Sequence, residues 1–166
     1  MAKRYLLGIV FCAAAFTNCK RTIPCKDHFI TPAFIGFALS DLDSVIIRQF
    51  KKEGNFQQLI DTAILSFDTS YLKSISSNDT TFVLLNHISG QEKYIFPDHD
   101  WQLFIPSKNL TYSISAILSP KTESPCFKCS CWNPISSFTQ NSQTIIPKIN
   151  TIPHTGGDFY ITYIHR

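Results

Sequence analysis

The sequence predicts an all-β or nearly all-β fold, a single β-sandwich. Three observations carry this: apolar runs alternate with turn residues along the chain, one stretch keeps a strict two-residue period, and about seven to nine short segments are spaced as sandwich strands are. An immunoglobulin-like strand order is one topology compatible with that spacing. With 166 residues, 44% of them hydrophobic and only 16% charged, the chain has the apolar content for one real core. No internal repeat or low-complexity stretch competes with that reading.

Lys3 and Arg4 precede the apolar run Tyr5–Phe16, which ends at Thr17 and Asn18 before Cys19, Lys20 and Arg21. A basic segment followed by a short apolar one is the pattern of an export signal. The run is too short for a membrane-spanning helix, which needs roughly 20 apolar residues. Ala13–Ala15 satisfy the small-residue rule for soluble cleavage, so soluble export and an uncleaved anchor stand beside any role for Cys19.

Beyond this segment the strands follow one another. Pro32–Ala38 is apolar, Ser44–Phe50 repeats the pattern, and Lys51–Asn55 is a hairpin-like turn. Residues 56–67 fit two readings. Phe56, Leu59, Ile60, Ala63, Ile64 and Phe67 fall at helical spacing, while the preceding turn and the β-rich neighbours favour a strand. Thr81–Asn86, Lys93–Phe96 and Trp101–Ile105 continue the series, and Asp158–His165 closes it. In Thr111–Leu118 the residues Tyr112, Ile114, Ala116 and Leu118 alternate with polar ones, which predicts one buried face.

An apolar run ending in Cys19 and followed by basic residues resembles a bacterial lipoprotein signal peptide, with Phe16, Thr17, Asn18 and Cys19 as the lipobox. The runs Thr31–Thr62 and Asp100–Ile117, the Cys131–Ile135 element and the closing Gly157–Arg166 are together similar to a group of small Bacteroidota-type lipoproteins. That resemblance implies residues 1–18 as signal peptide, 19–31 as lipidated N-terminus and tether, and 32–166 as a single β-rich domain. It implies lipid attachment at Cys19, a membrane partner, and a place in the cell envelope at the outer membrane. In such lipoproteins acidic residues soon after the cysteine accompany surface export. Here the first acid is Asp27, so the periplasmic face is expected. Asp43-Ser44-Val45, Asp61-Thr62-Ala63 and Asp79-Thr80-Thr81 resemble the O-glycosylation acceptor of that group, with Thr80 the best placed.

Cys12 leaves with the leader, and a lipidated Cys19 leaves four thiols, Cys25, Cys126, Cys129 and Cys131, which can pair in three ways. In an exported protein these are disulfide candidates first. Three thiols in C-x-x-C-x-C, with Cys25 or His154 as fourth ligand, would also suit zinc. Buried free thiols and redox chemistry are the other readings. A direct bond between Cys129 and Cys131 would close a strained ring, so Cys25 is expected to join one cluster cysteine and leave the other two to each other.

Removing Lys3 and Arg4 leaves 13 basic against 12 acidic residues, which gives no basic stripe for nucleic acid. The chain lacks G-x-S-x-G, H-E-x-x-H, S-x-x-K and a phosphate-cradling glycine loop, and it calls for no cofactor. Asp98, His99 and Asp100 could form a carboxylate–imidazole pair or a weak metal site, but after Pro97 they read first as a polar turn. The leading expectation is a non-enzymatic binding or structural module for an envelope protein or glycan. The alternative is a small envelope enzyme or metal-binding module built on the cysteines or on Asp98, His99 and Asp100.

Overall fold

The computed structural model describes residues 22–65, 81–83, 94–125, 131–151 and 158–166. Among them run β1 (Thr22–Pro24), β2 (Lys26–Asp27), β3 (Ile30–Ile35), β4 (Val45–Lys51), β5 (Leu59–Leu65), β6 (Thr81–Val83), β7 (His99–Ile105), β8 (Leu110–Leu118), β9 (Glu123–Pro125), β10 (Trp132–Asn133), β11 (Ser137–Gln140), β12 (Gln143–Ile145), β13 (Ile149–Thr151) and β14 (Asp158–His165). Short 3-10 turns at Leu39–Leu42 and Pro106–Lys108 are the helical elements described. The all-β class expected from the sequence is the one observed.

The chain divides into two compact units, a small one from residues 1–26 and 121–133 and a large one from 27–120 and 134–166. The large unit is the sandwich. One sheet has six strands in the order β12-β11-β8-β7-β4-β5, and the other has four in the order β13-β14-β3-β6. Both sheets feed one core: Ile30, Phe34 and Ile164 from the four-stranded sheet cluster with Ile47, Leu103, Ile114 and Phe138 from the six-stranded one. Each of these side chains is at most 1% exposed, so their burial is the main favourable term for this unit.

The strand order departs from the immunoglobulin pattern of four and three antiparallel strands. β14, near the C-terminus, pairs parallel with β3 over Tyr160↔Ile30 to His165↔Ile35. β3 is buried along nearly its whole length, which fits a central strand and explains why Ile30–Phe34 shows no polar alternation. The chain leaves β3 through Gly36, whose φ of 78° lies in the left-handed region that a side chain disfavours. Across the core the Tyr112 hydroxyl donates to the His165 carbonyl at 2.6 Å. Burial raises the pKa of that phenol and keeps it in the donating form.

Residues 56–67 follow the strand reading that the sequence favours over their described part: Leu59–Leu65 is β5, in antiparallel register with β4. Two expectations are corrected in detail. In β8 the predicted inward set of Tyr112, Ile114, Ala116 and Leu118 holds only for the first two. Ala116 has a φ of 48°, and the pairing with β11 skips a residue there, so Ile117 is buried and Leu118 is 57% exposed. A β-bulge has reversed the alternation. Finally, residues 22–31, expected as a tether, carry β1, β2 and the start of β3. Their backbone groups pair: Cys25 N–H donates to Thr122 O and Lys26 N–H to Cys131 O, at 3.0 and 3.1 Å.

Candidate functional site

Two places hold the residues that the sequence singles out. The first is the small unit. β1 pairs antiparallel with β9, and β2 with β10. Between these short ladders Cys25 and Cys131 form a disulfide, with Cα atoms 4.9 Å apart and a sequence separation of 106. Cys25 therefore takes one cluster cysteine as its long-range partner, as expected. Cys126 and Cys129 lie outside the described residues, as do Cys19 and His154.

Asn133 completes this clamp. Its side chain is 1% exposed, donates to Cys25 O at 3.0 Å, and accepts from the Thr122 N–H and hydroxyl at 2.8 and 2.9 Å. One buried amide thus satisfies backbone groups of both chain segments, as a buried polar residue must. Beside it the Lys26 ammonium lies 6.0 Å from the centroid of the half-exposed Trp132 ring. A lone Asn carries no signal in a sequence, so nothing there marks Asn133 as a keystone. Cys131 is committed to a disulfide, which removes it from any thiolate zinc site.

The second place is the corner where β7 begins. Asp98 Oδ1 lies 2.8 Å from His99 Nδ1, with the side chains 65% and 24% exposed. Asp100 does not join them. It is 3% exposed and its Oδ2 accepts the Glu53 N–H at 2.9 Å, fastening the turn between β4 and β5. That turn needs fastening, because Glu53, Asn55 and Phe56 all have positive φ, a conformation that side chains disfavour. Lys52 adds a second tie, donating to the carbonyls of Pro97 and Ile117 at 2.8 and 3.3 Å. Asp98 fits the expected polar turn, while His99 and Asp100 open β7.

Chemically, the Asp98–His99 pair can orient an imidazole proton at the surface. A general base also needs a nucleophile within hydrogen-bond reach, and Asp100 is already engaged elsewhere. Among the described residues no group of three or more His, Cys, Asp or Glu side chains is placed to hold a metal ion.

The sequence does not mark a charged cluster that forms among the described residues. Asp41 sits 2.8 Å from Lys108 Nζ and 3.8 Å from Arg166, and it accepts the Ala38 N–H at 3.1 Å. The Lys108 hydrogen bond lowers the Asp41 pKa, more than burial raises it. Its partners come from the two 3-10 turns and the chain terminus, so no local motif could reveal it. Of the glycosylation-like triplets, Ser44 is half-buried, Thr62 is exposed on β5, and Thr80 is outside the described residues. Comparison with known proteins finds no matching family model, no similar curated protein and no similar solved structure.

Proposed function

We propose that this protein is a lipoprotein of the cell envelope, attached through Cys19 to the outer membrane on its periplasmic face. Its sandwich serves as a non-enzymatic binding or structural module for an envelope protein or glycan. The observation that supports this reading most is the Cys25–Cys131 disulfide. Such bonds persist in oxidising compartments, and this one follows shortly after an export-type leader. Leader and crosslink are independent features that call for the same address. A binding role agrees with the way Asp100, Lys52 and Asp41 are all taken up in holding turns and strand ends.

Metabolic labelling with a palmitate analogue tests the anchor: the wild-type chain takes up label, and Cys19→Ala does not. Equal labelling of the two contradicts it. Protease shaving of intact cells tests the face, because a periplasmic domain survives while a surface-exposed one is digested.

A further inference from the structure

Among the described residues β5 is an edge of the six-stranded sheet, and it is apolar where exposed edges are commonly guarded by charge. Leu59, Ile60 and Ile64 are 55%, 54% and 65% exposed. The strand also reads almost identically in both directions about its centre, Leu59-Ile60-Asp61-Thr62-Ala63-Ile64-Leu65. Leu mirrors Leu, Ile mirrors Ile, and only Asp61 and Ala63 differ. A two-fold contact between identical chains requires this kind of self-complementarity.

Backbone directions agree. Lys51 donates its N–H to Gln58 O at 3.0 Å, so Gln49, Ile47 and Val45, at the same phase of β4, face β5. Their register partners Asp61, Ala63 and Leu65 face back, which leaves the backbone groups of Thr62 and Ile64 directed at the open edge.

We propose that β5 is a homodimer interface, in which a second copy of the chain pairs antiparallel to β5 about a two-fold axis through Thr62. This goes beyond the envelope assignment and does not rest on it. Thr62 meets Thr62 of the other copy, and each Ile60 meets the other Ile64. On the outer face Ile64 continues in register through Ile46 to Phe104, so pairing joins the apolar rows of two sheets. The bulge beside Ile60 confines the new ladder to residues 60–64. Asp61 tempers the association. In the single chain its Oδ1 accepts the Thr62 N–H at 2.7 Å, a bond that pairing replaces. Its opposite in the dimer is the small Ala63, and the two Asp61 carboxylates stand diagonally, about 7–8 Å apart.

Cysteine crosslinking of the full chain in cells tests this. At a hydrogen-bonded antiparallel pair the Cα atoms lie about 5.5 Å apart, within disulfide reach, so Thr62→Cys yields a homodimer whose 59–65 peptides are joined to each other. Thr111→Cys, on the exposed outer face of β8, does not. Adding Ile64→Lys to Thr62→Cys lowers the yield at least about tenfold by charging the edge, and adding Asp61→Asn raises it. Ile64 is exposed, so an unchanged urea midpoint for Ile64→Lys shows that the fold survives. Thr62→Cys crosslinking no better than Thr111→Cys, or joining a different protein, overturns the proposal, as does indifference to Ile64→Lys.

Discussion

The two units of this chain are held together by different means. Every buried apolar side chain among the described residues, from Ile30 to Ile164, belongs to the large unit. Among the described residues of the small unit the buried ones are Ser124 and Asn133, accompanied by a disulfide and two short ladders. The described strands of this unit are too short to offset the ordering of their own backbone by apolar burial among themselves. Among the described residues, a covalent link and a hydrogen-bonded amide hold the two segments of this unit together. The difference teaches that short paired segments can be fixed by a crosslink and a buried amide where a pair of large sheets relies on apolar burial.

Breaking the link should have the largest effect. Cys25→Ser opens a closed loop of 106 residues that contains β3 through β8, and the chain-entropy model assigns such a loop about 4 to 5 kcal/mol. Urea unfolding of Cys25→Ser against wild type should approach that loss. Although the bond lies in the small unit, the loss appears in the sandwich transition, because the loop constrains the unfolded state of most of the chain. A change below about 1 kcal/mol would mean that the unfolded chain is already compact.

Leu103→Ala is the matching cut in the core. Leu103 is fully buried between the sheets, and truncation should cost about 2 to 5 kcal/mol through lost burial and the cavity left behind. Non-reducing electrophoresis should find the Cys25–Cys131 bond intact in this variant.

Asn133→Ala sharpens the comparison from the other side. The part-buried hydrogen bonds from Asn133 to Cys25 and Thr122 disappear, at about 1 to 3 kcal/mol in total. Hydrogen exchange at Cys25 and Thr122 should accelerate more than exchange at Leu103 or Ile114.

The smallest effect expected is the pH response of Asp41. Its pKa is lowered in the folded state, so the contribution is present above the ordinary carboxylate value and is lost as pH falls through the folded one. Wild type should therefore lose stability relative to Asp41→Asn on acidification below about pH 4, with the two curves parallel at neutral pH.

These outcomes bear on what a sequence reveals. The long strands β4, β7, β8 and β14 were legible because seven or more residues allow a period of two to register. β2 and β10, with two residues each, and β12, with the sequence Gln-Thr-Ile, are too short for any period and exist because a neighbour pairs with them. The bulge at Ala116 was invisible for a related reason: Ile117 and Leu118 are both apolar, so either could have faced inward. For the candidate site, the cysteine count pointed to a long-range partner for Cys25 but could not choose among three thiols within six residues. Asp100 was visible as a polar residue near a turn. Its bond to Glu53 is a tertiary contact across 47 residues, which no local pattern encodes.

The central claim is that Cys25 is stapled to Cys131, and peptide mapping without reduction tests it most directly. Tryptic cleavage releases Cys25 in the peptide 22–26, and Cys129 and Cys131 together in 129–148. The account predicts recovery of these two peptides within one disulfide-linked species, which also carries peptide 122–128 where Cys126 is bonded to Cys129, with fragmentation placing the Cys25 bond on Cys131. Recovery of Cys25 as an alkylated free thiol, or joined to Cys126 or Cys129, would contradict it.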